Sequence, residues 1–394
     1  MEYRTHRSLA LSAIGVGGYA LAGAYGSVDP GAFIALLRRA HDLGVTFFDT
    51  AGNYGDAEAV LGAAVRPFRD EVLLATKVGS PEGAPPCLSR EAVEATCRRS
   101  LQRLRTDRID LLQVHFDDPG TPVEETVAAL ESLRAAGLIR HYGVGHLPAH
   151  RVARYLEVGE PFSLLMELSA AAREARRTLL PLCGDGGPAA IAFSVTGRGL
   201  LSGTIGPAPA FEPGDIRLYD PLFQRARFAS GRRIAEHLAG LARDLGRTPA
   251  QVAVAWVLAQ PEVVCALTGP RRLAHLEENL GGCGWRLPGE ALAGMEALFA
   301  REDAALADEE AATVEAILGG PLPAGPEAAF RDLIYAVETA VSLGRATEDE
   351  IRPMLFDLWP LQEDLGEAGP ALEAIRARLR EVIPPADLPE RPPT

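Results

Sequence analysis

The chain has 394 residues, 47% apolar side chains and a net charge of −14. That length exceeds one average domain and fits a barrel of ~250–300 residues with an addition. The acidity argues against nucleic acid or an anionic membrane as partner, no apolar run approaches the ~18 residues of a membrane span, and five scattered cysteines without CxxC spacing read as reduced thiols of a cytoplasmic protein, not zinc ligands.

Short β-like runs alternate with helical patterns over the first ~280 residues. A strand is expected over Leu11–Gly17. A helix over Pro30–Leu43 follows, opened by Asp29 as N-cap and closed by Gly44. Next come strand Thr46–Asp49, helix Ala57–Val65, strand Val72–Lys77, and helix Arg90–Leu104 with Ser89 as N-cap. Strand Ile109–His115, helix Val123–Ala136 and strand Arg140–Val144 continue the alternation. Weaker strand signals fall at Ser163–Met166, Ala189–Phe193 and Val263–Leu267. Eight strands alternating with helices imply an α/β fold, a parallel (β/α)8 TIM barrel, over residues 1–300. The segment Ser194–Phe228 is Gly/Pro-rich and irregular, a length of loop that is often functional.

Beyond Arg301 the β-like alternation stops. Helical stretches are expected at Ala311–Leu318, Glu327–Leu343, Glu348–Leu358 and Pro370–Val382, making residues 301–383 an appended all-α region. Residues 301–394 carry 20 acidic against 8 basic side chains, which is −12 of the −14 total. The proline-rich end, residues 384–394, reads as disordered. The apolar stripe Phe330, Leu333, Ile334, Val337, Val341, Leu355, Leu358 and Trp359 needs a surface to pack on. Its own chain is the default partner; covering the barrel mouth, docking on the barrel flank and forming a homo-oligomer interface are all open.

Lys77 is the one lysine among 39 basic residues, so arginine has replaced lysine everywhere else. A position that kept lysine needs a compact ammonium on a thin stem, with a pKa its surroundings can move. Asp49, Tyr54, Lys77 and His115 lie at or just after the C-terminal ends of successive strands, the rim where barrels of this kind hold their active sites. An ionisable group closing a buried strand is costly unless paired, so Asp49 and Lys77 are expected to pair.

These residues sit in longer motifs. They are Phe48-Asp-Thr-Ala-Gly-Asn-Tyr-Gly55 with Glu58, Ala75-Thr-Lys77, Ser100 through His115, Gly137 through Val144, Gly197-Arg-Gly-Leu-Leu-Ser-Gly203, and Thr248 through Trp256 on to Asn279. In them the sequence resembles the aldo-keto reductase family over about residues 8–300, leaving the C-terminal region outside the usual pattern. The resemblance implies an NADP(H)-dependent enzyme interconverting a carbonyl and an alcohol on a small polar or biosynthetic substrate, with NAD(H) left open. It implies that Tyr54 is the general acid, that Lys77 lowers its pKa, that Asp49 holds Lys77, and that His115 orients the carbonyl or relays the proton. It further implies that Phe193 stacks on the nicotinamide. Ser194 through Ser202, with Gly199, Leu201 and Gly203, wraps the pyrophosphate. Arg271 meets a 2′-phosphate, and Glu278 and Asn279 contact adenine.

Three departures fall together. Gly143-Val-Gly-His146 replaces the family's Gly-x-Ser-Asn, Met166 stands at the position aligned with a glutamine, and Val195 replaces a proline. The side chains that fix the carboxamide are thus missing, and His146 and Met166 occupy the clamp. Two alternatives follow: a non-redox acid–base enzyme using Tyr54, Lys77 and His146, or a regulatory binding protein like the channel-associated members of the family. Tyr19, Tyr25 and Tyr219 are candidates for lining the substrate pocket.

Overall fold

The structure, a computed structural model, describes residues 1–7, 9–80, 85–184, 186–363 and 365–383. The proline-rich end expected to be disordered lies outside the described residues. In chain order the elements begin with β1 (Tyr3–His6), β2 (Leu9–Ser12), β3 (Ile14–Gly17), α1 (Pro30–Asp42), β4 (Phe47–Asp49), α2 (Ala57–Val65), β5 (Leu73–Val78), α3 (Arg90–Leu104) and β6 (Ile109–Val114). They continue with α4 (Val123–Ala135), β7 (Ile139–Gly145), α5 (Ala149–Val158), β8 (Ser163–Glu167), α6 (Ala175–Thr178), β9 (Ala189–Phe193), α7 (Arg225–Leu245), α8 (Pro249–Leu258), β10 (Val263–Thr268) and α9 (Leu273–Leu280). Four helices close the described chain: α10 (Gly289–Gly319), α11 (Pro326–Ser342), α12 (Glu348–Leu358) and α13 (Gly369–Val382).

Strands β3 to β10 close into an all-parallel barrel in the order β10-β3-β4-β5-β6-β7-β8-β9. This is the (β/α)8 barrel expected from the alternation. The helix signals act as read. Asp29 accepts from the Ala32 amide at 2.6 Å with Pro30 at the first helical position, and Ser89 accepts from the Ala92 amide at 3.3 Å. The run Leu11–Gly17, expected as one strand, is two. The Ser12 hydroxyl donates to the Ile14 carbonyl at 2.8 Å and accepts from the Thr46 amide at 3.0 Å. That breaks the run at Ala13 and leaves β2 paired antiparallel with β1 in a separate hairpin.

Phe47, Ala75, Leu111, Leu165, Ile191 and Cys265 share one buried cluster inside the barrel. Strand side chains alternate, so the residues two places further on also face inward. These are Asp49, Lys77, Gln113, Glu167, Phe193 and, in β10, Leu267, all toward the C-terminal ends of their strands. The glycines of β7 make room at this end: a Cβ on Gly143 would sit 2.3 Å from the Ser163 hydroxyl.

The chain forms two compact units, Met1–Gly214 with Ala235–Leu292, and Asp215–Ile234 with the chain from Ala293 onward. The changeovers fall inside α7 and α10. Helix α10 runs 31 residues, taking in the expected Ala311–Leu318 stretch as its last turns, because no glycine pair or proline interrupts the sequence before Gly319-Gly320-Pro321. The helical unit has its own core, including Val314, Phe330, Leu333, Ile334, Val337, Leu358, Leu372 and Leu379. Ion pairs tie the segment Asp215–Ile234 into it: Arg233 to Glu302 at 2.7 Å, and Arg227 to the buried Glu310. Tyr219 belongs to this core, edge-on to Phe330 at 5.1 Å, so it is not a free pocket-lining side chain. Among the described residues no helix is long and apolar enough to cross a membrane.

Candidate active site

Asp49 and Lys77 meet inside the barrel mouth. The Lys77 ammonium donates to Asp49 Oδ1 at 2.5 Å and to the Thr50 carbonyl at 2.9 Å, and the two side chains are only 2% and 4% exposed. Gln113 donates to the second carboxylate oxygen at 3.1 Å. Burial pushes the Asp49 carboxyl up, while Lys77 and then Gln113 oppose that. Gln113 was missed in the sequence, yet it carried a signal: a polar residue two positions before His115, after the apolar pair Leu111-Leu112.

Tyr54 and His115 complete the group. The Tyr54 hydroxyl lies 3.4 Å from His115 Nε2, and the Ser80 hydroxyl lies 2.9 Å from Nδ1. Ser80, also missed, thus fixes the imidazole ring. Burial, then the Lys77 charge, then His146 hold His115 well below the usual histidine range, so it is neutral at pH 7. Tyr54 departs from the expectation. Burial first, then the charges of Asp49 and the neighbouring Tyr19 and Tyr25, push its phenol well above the ordinary tyrosine range. The Lys77 ammonium is paired with Asp49 and sits 5.0 Å from the Tyr54 ring centroid.

Rings continue around the mouth. Tyr19 is edge-on to Tyr54 at 4.9 Å and Tyr25 to Tyr19 at 5.9 Å. On the other side His115 stacks on Phe116 at 4.4 Å and meets His146 at 5.4 Å. His146 stacks on Phe193 at 4.8 Å. His146 holds a left-handed backbone, φ 50°, which a histidine adopts at some cost. His146 is exposed at its surface, but the surrounding protein and then the Lys77 charge still lower its pKa.

Met166 does not join this group. It is 1% exposed, and strand alternation gives the lumen face to Leu165 and Glu167 on either side of it. Glu167 is the inward polar group at the end of β8, and it pairs with Arg198. Ser194 begins the following loop with φ 54°, and Gly199 and Gly203 have φ 93° and 77°. The loop amides of Gly197, Gly199, Leu200, Leu201 and Ser202 donate within its own turns. Arg271 donates to the Tyr25 carbonyl, linking the end of β10 to the loop after β3. Glu278 and Asn279 stand in the last turn of α9, Asn279 buried. Among the described residues no cluster of His, Cys, Asp and Glu could hold a metal ion, and all five cysteines are free thiols.

The model of the aldo/keto reductase family matches residues 13–299. The chain belongs to that family. It is 33% identical over 301 residues to the aldo-keto reductase YhdN of Bacillus subtilis (strain 168), covering 74% of this chain and 91% of that protein. Among solved structures it resembles the glycerol dehydrogenase AKR11B4 from Gluconobacter oxydans, with a TM-score of 0.69, 26% identity, and coverage of 75% of this chain and 94% of that one. It also resembles the aldo-keto reductase AKR11C1 from Bacillus halodurans in its holo form, with a TM-score of 0.65, 25% identity, and coverage of 76% and 96%. Aldo-keto reductases are oxidoreductases of the carbonyl–alcohol type, and this chain is one.

The family generally uses NAD(P)H. A nicotinamide ring is flat and bears an amide with one acceptor oxygen and two N–H donors. The mouth offers matching chemistry: an aromatic platform in Phe193, an imidazole in His146 and a carboxylate in Glu167. The residues present therefore fit the group. His146 covers one face of Phe193, so a ring stacking there uses the other face or displaces His146.

Proposed function

We propose that the protein is an NADP(H)-dependent oxidoreductase interconverting an aldehyde or ketone and its alcohol on a small polar substrate. The observation that carries this reading is the buried Lys77–Asp49 pair beside Tyr54 and a neutral His115. In this reading the bound cofactor supplies a hydride to the carbonyl carbon. The Tyr54 hydroxyl gives its proton to the carbonyl oxygen, and the raised pKa keeps that proton in place until charge develops on the oxygen. The Lys77 ammonium then stabilises the phenolate left behind, with Asp49 and Thr50 holding it in position. Neutral His115, fixed by Ser80, donates a hydrogen bond that orients the carbonyl.

His146, Phe193, Ser194 and the loop with Gly199, Leu201 and Gly203 form the nicotinamide and pyrophosphate side of the site. Arg271, Glu278 and Asn279 form the adenosine side, and Arg271 favours NADP(H) over NAD(H). The likeness to a glycerol dehydrogenase supports a small polar substrate. Titration with NADPH, followed by nicotinamide fluorescence and then by addition of small aldehydes, tests the reading. Binding with oxidation of the bound NADPH supports it, and absence of binding refutes it.

A further inference from the structure

Glu167 and Phe193 are register partners in neighbouring parallel strands, so their side chains stand side by side on the lumen face. Both carboxylate oxygens are engaged by one arginine: Arg198 Nη1 donates to Oε1 at 2.5 Å and Nη2 to Oε2 at 3.0 Å. This two-bond geometry is the strong form of an ion pair. Arg198 reaches it from a left-handed backbone, φ 52°, which costs an arginine stability that the contact must offset. The pair is partly buried, with side chains 31% and 18% exposed. It lies close enough to His146 for both charges to act on that ring, Glu167 raising and Arg198 lowering its pKa.

Gly145 has no side chain to offer the carboxamide, and Met166 faces away from the mouth. We propose that Glu167 and Arg198 replace the missing clamp: Glu167 accepts the carboxamide N–H, and the pair sets which oxidation state of the cofactor is held more tightly. This rests on the NAD(P)H reading above. A carboxylate has about four acceptor directions, and Arg198 occupies two, so acceptor capacity remains. The oxidised nicotinamide ring is cationic and the reduced ring is neutral. A weakened carboxamide hydrogen bond acts on both oxidation states alike, and a charge change beside the ring adds an effect on the cationic one, which a merely structural role would not do.

The test is equilibrium binding of NADPH and NADP+ to the full chain and to two variants. Glu167→Gln leaves the Arg198 charge uncompensated. It should weaken NADP+ roughly tenfold more than NADPH, the size expected of a unit charge several ångströms away in a partly wet site. Arg198→Met leaves the carboxylate uncompensated and should shift the NADP+/NADPH affinity ratio the opposite way. Either variant alone decides the sign if the other fails to fold. An NADP+/NADPH ratio unchanged in both variants overturns the placement of the charged pair beside the nicotinamide while leaving the cofactor reading intact. A wild-type chain that binds neither form overturns both, and the wild-type titration alone identifies that case.

Discussion

Replacing Lys77 with methionine keeps the aliphatic stem and removes the ammonium. Asp49 then sits 4% exposed with Gln113, at 3.1 Å, as its remaining side-chain partner. An unpaired buried carboxylate escapes its desolvation by taking up a proton. Relative to an ordinary value of 3.8 in the unfolded chain, holding Asp49 neutral costs roughly 4.4 kcal/mol at pH 7 and roughly 1.6 kcal/mol at pH 5, at 1.36 kcal/mol per pH unit. The sign follows from linkage. The folded-state pKa of Asp49 in the variant lies above 3.8, so stability is whole below that value and is lost as pH rises. The double variant Asp49→Asn/Lys77→Met has no carboxylate to titrate and serves as the reference. Urea unfolding at both pH values measures the gap between single and double variants, expected to shrink by about 3 kcal/mol from pH 7 to pH 5. A gap that is the same at both pH values refutes the coupling of the two side chains.

Three further outcomes follow from the same geometry. Lys77→Arg should abolish turnover in a chain that still folds, with a melting temperature lowered by a few degrees, because the guanidinium keeps the charge beside Asp49 but does not fit the space of an ammonium held between Asp49 and Thr50; an active variant contradicts this. Tyr54→Phe should lower the rate by roughly a thousandfold while NADPH binding is retained. Because burial raises the Tyr54 pKa and lowers that of His115, wild-type carbonyl reduction should stay level from pH 6 to pH 9, and a fall within that window would count against Tyr54 as the proton donor. Arg271→Ala should raise the Kd for NADPH about tenfold and leave that for NADH unchanged, and equal losses for both would remove the case for the 2′-phosphate.

Asp49, Lys77 and His115 were legible because each closes an apolar strand at a parity that points inward, a rule of the backbone itself. The barrel was legible for the same reason, since β5 and β6 are nearly continuous buried runs on either side of the capped helix α3. The N-terminal hairpin was not, because nothing in the apolar run Leu11–Gly17 reveals that Ser12 bonds across to residue 46. Glu167 was missed because alignment by resemblance drew attention to Met166, where the pleat gives the lumen to its neighbours. Tyr219 was misassigned for a different reason. The sequence does not say that the segment Asp215–Ile234 packs with helices that begin some eighty residues later. The tuning of Tyr54 needed the actual position of the ammonium, which sequence spacing does not provide.

The Lys77–Asp49 pair also gives the protein a built-in spectroscopic reporter. With one lysine in the chain, isotopic labelling of that amino acid yields a single side-chain amine signal that needs no assignment. The ammonium is 2% exposed and held by Asp49 and Thr50, so its protons are shielded from exchange with solvent. Its resonance would report the state of the buried pair directly, through cofactor binding, substrate binding and change of pH.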